Sequence, residues 1–340
     1  MSVKRINPME FQLYVANPYI LAFHHRDIFP KGNGKMEPLN MPKGKNQGED
    51  FDLGADWRMY YGNKVPGFPV HPHRGFETVT VMIEGFADHF DSKGSRGRYG
   101  KGDVQWMTAG SGVQHSEMFP LLKDDQDNPM ELFQIWLNLP QKNKFAKPDY
   151  KMFWNEEIPF IQEKDSAGNL IELKIITGEY KGVRSLDPLP ASWAYERSNH
   201  VGIWLIKLAP HAEFIIPKVS KTMSRVLYNN YGGGIWIDEK EINQKYYAEL
   251  EGGEDVFIKN GDEATFLLLL EGEPINEPIA ARGPFVMNTD NELRQAFFDY
   301  RQTEFGGWPW SNNEPTNKKD MGRFASYENG ARIEYPPKKE

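Results

Sequence analysis

The reading of the whole chain turns on residues 71–85, HPHRGFETVTVMIEG. Residues 77–83 (ETVTVMI) are rich in β-branched and apolar side chains, and Glu84-Gly85 closes them with a turn signal, so they read as a strand. The same pattern recurs at residues 131–137 (ELFQIWL), 171–177 (IELKIIT), 201–208 (VGIWLIKL) and 264–270 (ATFLLLL), with turns such as Asn260-Gly261-Asp262 between them. The 31 glycines and 24 prolines are spread throughout, and many short strands with frequent turns predict an all-β chain of sandwiches or barrels. Helical spacing is scarce until about Asn291, where Leu293, Phe297 and Tyr300 predict a short C-terminal helix.

The first three residues of that stretch carry chemistry. On an extended chain, side chains two apart share a face, so His71 and His73 can aim both imidazoles at one point, with Pro72 stiffening the arrangement. His115-x-Glu117 repeats the spacing about 40 residues on, and two neighbouring strands of a barrel could close one site from both pairs. Three neutral imidazoles and a carboxylate suit iron, manganese, nickel, copper or zinc. On an octahedral ion, four protein ligands leave two positions for a substrate or dioxygen, whereas a structural zinc site would be closed and tetrahedral. The other histidines offer less. His24 and His25 are adjacent and point to opposite faces, which favours local hydrogen bonding. His89 reads as a barrel-wall residue, with support of the metal ligands as the alternative, and His200 and His211 have no same-face partner. Gly232-Gly233-Gly234 lacks the lysine of a phosphate loop and reads as a turn.

At 340 residues the chain is long enough for two domains, each with its own core. Residues 138–159 hold three prolines and few apolar runs, and read as a linker dividing the chain near residue 150. The expected organisation is a metal-binding barrel in residues 1–150, a second barrel in 151–290, and a helix and tail in 291–340, with the part beyond Gly306 loosely ordered except around Trp308 and Trp310. No cysteine is present, which removes disulfides and thiolate metal sites; with no secretion signal at the N-terminus, a cytoplasmic location is expected. No run approaches the length of a membrane-spanning helix. A net charge of −8 argues against direct nucleic-acid binding, and Lys93, Arg96, Arg98 and Lys101 read as a solvated hairpin loop.

The sequence resembles the pirin family of the cupin superfamily. The matching stretches are residues 68–85, 89–117, 133–140 and 272–289, and the resemblance extends over about residues 20–305. It implies a bicupin, two antiparallel β-barrels of jelly-roll type in tandem, with one metal in the first. The pirin ligands fall on His71, His73, His115 and Glu117, with iron(II) the expected ion. Glu77, a ligand position in many cupins, is expected to support the site from outside it, and Thr108 stands where many cupins have proline. The second barrel has no H-x-H, and residues 219–234 (VSKTMSRVLYNNYGGG) offer no ligand set, so it is expected to hold no metal.

The resemblance implies two functional readings. One is a quercetin 2,3-dioxygenase-type oxygenase, in which a flavonol-like substrate chelates the metal, O2 cleaves its ring, and Glu117 acts as the base. Phe76, Trp106, Met107 and Met118 would then supply apolar walls or core. The other is an iron-dependent, redox-sensing regulator working through a protein partner, with the basic loop of residues 93–101 as its surface. A barrel using a metal only for stability is the blandest reading.

Overall fold

A computed structural model describes residues 1–338. It is built of strands, short 3-10 turns and one α-helix, Asp290–Thr303, among the described residues. The chain forms two compact units with interleaved segments. One comprises His24–Ile135, Gln141–Glu156 and the chain from Glu277 onward; the other comprises Met1–Phe23, Trp136–Pro140 and Glu157–Asn276.

The unit that contains the four candidate ligands is a sandwich of antiparallel sheets. One sheet runs in the order Arg332–Glu334, Phe324–Tyr327, Arg96–Gly100, Phe86–Asp91, Val113–Met118, Gly67–His73. The other includes Asp149–Phe153, Val104–Thr108, Phe76–Glu84 and Asn128–Asn138 as successive neighbours. Phe76–Glu84 is buried along nearly its whole length, as its unbroken run of Val, Thr and Met dictates for a strand covered on both faces. Met82, Ala87, Tyr99, Met107, Val113, Met130 and Tyr150 form the core of this unit.

In the second unit a seven-stranded sheet has Thr265–Gly272 (TFLLLLEG) at its centre, flanked by Ser224–Tyr231 and Gly202–Leu208, and fully buried. A four-stranded sheet runs Glu213–Ile216, Val256–Asn260, Ile235–Ile237, Lys240–Ile242. Val256–Asn260 alternates buried and exposed residues, the period-2 pattern of a strand with one face in water. Its core is aliphatic and aromatic, with Leu173, Ile206, Phe214, Leu227, Ala248, Leu250 and Leu267 packed together.

Three expectations change. The supposed linker contains the strand Asp149–Phe153, which pairs with Val104–Thr108, so the boundary expected near residue 150 falls inside a sheet. The basic stretch is a hairpin with Lys93 and Lys101 exposed, but Arg98 is not solvated: it is fully buried, bonded by Nε and Nη2 to both oxygens of Asp88 at 2.7 Å. Its remaining donors reach the carbonyls of Asn317, Lys318, Lys319 and Met321. The tail is correspondingly ordered, since Phe324–Tyr327 adds a strand to Arg96–Gly100 and Trp310 packs at 4.8 Å on Phe90.

Candidate metal centre

Gly67–His73 and Val113–Met118 are hydrogen-bonded antiparallel neighbours, with His71 opposite His115 and an irregularity in register between Phe68 and His71. That register brings the imidazoles together, tilted or edge to face. The His71 ring lies 4.4 Å from that of His115, the His73 ring 4.9 Å from it, and His71 and His73 are 4.7 Å apart. One ring nitrogen from each of the three histidines falls within a single 4.8 Å group.

Neighbouring elements hold the two strands in place. After His73 the chain turns through Gly75, whose φ of +85° suits glycine and whose missing Cβ would sit 1.9 Å from the Val286 carbonyl oxygen. The buried Lys144 ammonium donates to the carbonyls of Gly75 and Val286 and locks that approach. Arg74 bonds Asp299 of the helix at 2.7 Å and the Ser111 carbonyl at 2.8 Å, with its guanidinium over the Phe305 ring. The same helix end holds Gln114, which accepts from the Tyr300 hydroxyl and donates to the Glu304 carbonyl. The residues that follow His73 and precede His115 are thus both anchored to Asp290–Thr303.

Electrostatics favour neutral, metal-competent imidazoles. Burial pushes His71 down to about 4 and holds His73 and His115 well below the usual histidine range, and each is further lowered by a neighbouring histidine. His71 Nδ1 lies 2.8 Å from the Pro69 carbonyl; the proton on Nδ1 leaves Nε2 as a lone pair. His115 is fully buried and neither of its ring nitrogens has a hydrogen-bond partner, a costly state for a polar ring. A cation among the three rings would relieve that cost, so the donor set fits a divalent transition metal.

Glu117 lies beside this group. Its Oε2 is 3.8 Å from His115 Nε2 and accepts from Gln134 Nε2 at 3.2 Å, while its Oε1 is 3.0 Å from the Thr80 hydroxyl and 3.4 Å from that of Tyr99. Burial raises its carboxyl above the ordinary glutamate range, against the opposing effects of His89 and these hydrogen bonds. Glu77 is fully buried, is not part of the grouped set, and takes the Thr108 hydroxyl at 2.6 Å.

Thr80, Tyr99 and Gln134 were not singled out in the sequence. Thr80 and Gln134 are polar residues inside the apolar runs ETVTVMI and ELFQIWL, and a polar side chain in a buried strand needs a partner. His89 is more than a wall residue. It is fully buried opposite Glu117, its ring is 5.6 Å from that of His115, and its Nε2 is 3.3 Å from Asp91 Oδ2. Phe76 lies 5.0 Å from the His73 ring, whereas Trp106 packs on Phe153 and Met107 and Met118 are buried. His24 bonds Glu131 at 2.8 Å and His25 bonds the Tyr60 hydroxyl at 3.0 Å, the local roles their opposite faces implied.

Comparison with known proteins agrees with this architecture. The Pirin family model matches residues 44–137, and the model of the pirin C-terminal cupin domain matches residues 203–306. Human pirin is 35% identical over 253 residues, 73% of this chain and 80% of its own. Pirin-like protein 2 of Arabidopsis thaliana is 34% identical over 316 residues, covering 90% of each. The crystal structure of quercetin 2,3-dioxygenase from Acinetobacter baumannii superposes with a TM-score of 0.69 at 26% identity, over 90% of this chain and 98% of that one. With two cupin units, a histidine cluster on paired strands of one of them, and these relatives, the chain belongs to the pirin family of cupins.

Proposed function

We propose that this protein is a metal-dependent oxygenase of the quercetin 2,3-dioxygenase type, with His71, His73, His115 and Glu117 holding one divalent transition metal, iron(II) foremost. The observation that carries the reading is His115, fully buried with both ring nitrogens lacking hydrogen bonds and two further imidazoles around it. The likeness to the Acinetobacter baumannii quercetin 2,3-dioxygenase supports the reaction class. A bound metal supplies Lewis acidity that favours the deprotonated chelate of a flavonol-like substrate.

The chain's own residues do the rest. The three histidines present neutral nitrogens, His71 oriented by the Pro69 carbonyl at Nδ1. Phe68, His71 and Gln134 are only partly buried, unlike His73 and His115. Glu117 would hold the metal through Oε2 and, on releasing it, take the proton of the substrate's acidic hydroxyl at that oxygen, while the Thr80 and Tyr99 hydroxyls lie against Oε1.

The test is to load the protein anaerobically with iron(II), add quercetin, admit air, and follow O2 uptake with loss of flavonol absorbance. Metal-dependent turnover that His115→Ala abolishes is the expected result. Metal bound without turnover would favour the redox-sensing regulator with a protein partner, although the surface imagined for it at residues 93–101 is largely engaged within its own unit.

A further inference from the structure

We infer that Thr80 and Gln134 are positioning residues for Glu117, holding its carboxylate with Oε2 directed toward His115. The inference rests on the reading of Glu117 as the fourth ligand. The two side chains and the carboxylate close a ring of contacts: Thr80 Oγ1 is 3.0 Å from Glu117 Oε1 and 2.6 Å from Gln134 Oε1, its single proton serving one of them at a time, and Gln134 Nε2 donates to Glu117 Oε2 at 3.2 Å. The members come from three strands, Phe76–Glu84, Val113–Met118 and Asn128–Asn138, so the ring is fixed by the sheets. A glutamate side chain otherwise has rotamer freedom to lose on ligation. Here both oxygens are already engaged, and Tyr99 adds a second hydroxyl at 3.4 Å from Oε1.

The asymmetry follows from which oxygen each donor takes. Oε2 lies 3.8 Å from His115 Nε2 and takes the amide of Gln134, whereas Oε1 faces the Tyr99 hydroxyl and the Thr80 hydroxyl, whose one proton it shares with Gln134 Oε1. The carboxylate would therefore meet a metal through Oε2, with Oε1 turned to Thr80 and Tyr99.

Cobalt(II) is the probe, because its visible absorption reports coordination number and ligand set directly. Wild type, Glu117→Gln, Thr80→Val, Thr80→Ser and Gln134→Leu are titrated with cobalt(II), with circular dichroism as a check on folding. Thr80→Val and Gln134→Leu should shift the cobalt bands and weaken cobalt binding by about 10- to 100-fold, and Thr80→Ser should restore both. If Glu117→Gln shifts the bands but Thr80→Val and Gln134→Leu leave the wild-type spectrum and affinity, the positioning role is overturned. If Glu117→Gln itself leaves both unchanged, Glu117 is not a ligand and the underlying reading fails first. Should Thr80→Val not fold, the half-buried Gln134→Leu decides alone.

Discussion

His25 shows how a single buried side chain sets a response to acid. Its Nδ1 meets the Tyr60 hydroxyl, which donates to Asp27 at 2.6 Å, and Asp27 also takes Arg58 at 2.9 Å. Because Tyr60 gives its proton to Asp27, His25 donates to the Tyr60 oxygen and is neutral in the fold. Burial pushes it down to about 3, below the ordinary 6.5, so between those values the unfolded chain binds more protons than the folded one. This contribution to stability is complete above about pH 6.5 and is lost as pH falls toward 3. Urea midpoints at pH 7, 5.5 and 4.5 should therefore fall less steeply for His25→Gln than for wild type. Arg98 and Asp88, both fully buried, make a second residue-scale case. Removing one member leaves the other charge uncompensated, so Asp88→Ala should cost about 3–5 kcal/mol in denaturant unfolding. The importance of Asp88 was not legible in the sequence, where Arg98 looked like one more cation among glycines and its partner lay ten residues away.

The elements repeat that lesson on a larger scale. Strands such as Phe76–Glu84 and Thr265–Gly272 were legible because apolar and β-branched residues bounded by turns have few other ways to be buried. The helix was legible from Leu293, Phe297 and Tyr300, of which Leu293 is buried and Phe297 and Tyr300 pack on Phe285. Its start is set by a capping box in which Thr289 takes the Glu292 amide and Glu292 returns a bond to the Thr289 amide. Thr289→Ala should cost about 1 kcal/mol, read as a shift in urea midpoint. The strands Asp149–Phe153 and Phe324–Tyr327 were hidden, because their stability comes from partners distant in sequence rather than from a periodic pattern of their own. The helix matters to the metal centre through Asp299. Asp299→Ala would strand the buried guanidinium of Arg74 beside His73, at about 2 kcal/mol, measurable as a lowered thermal midpoint.

For the molecule as a whole, the two units differ in what their interiors offer. One gathers three imidazoles and a carboxylate; the core of the other is built from leucine, isoleucine, phenylalanine and other apolar side chains. Elemental analysis of protein purified without chelators should give one transition metal per chain, falling to about a tenth or less for His115→Ala; a value of two would place a second site elsewhere. The histidine spacing was legible because period 2 on a strand is a local rule. The ring around Glu117 was not, since Thr80, Tyr99 and Gln134 meet it from three other strands, and only pairing brings them together. The tail has a consequence for the order in which the molecule is made. Asp88 and Arg98 leave the ribosome early, but the carbonyls that sheathe the guanidinium are translated about 220 residues later. During synthesis the nascent chain carries a half-covered ion pair on an unfinished sheet edge. A product that stops short of Asn317 keeps that edge open, a mark by which chaperones and proteases can tell it from the finished protein.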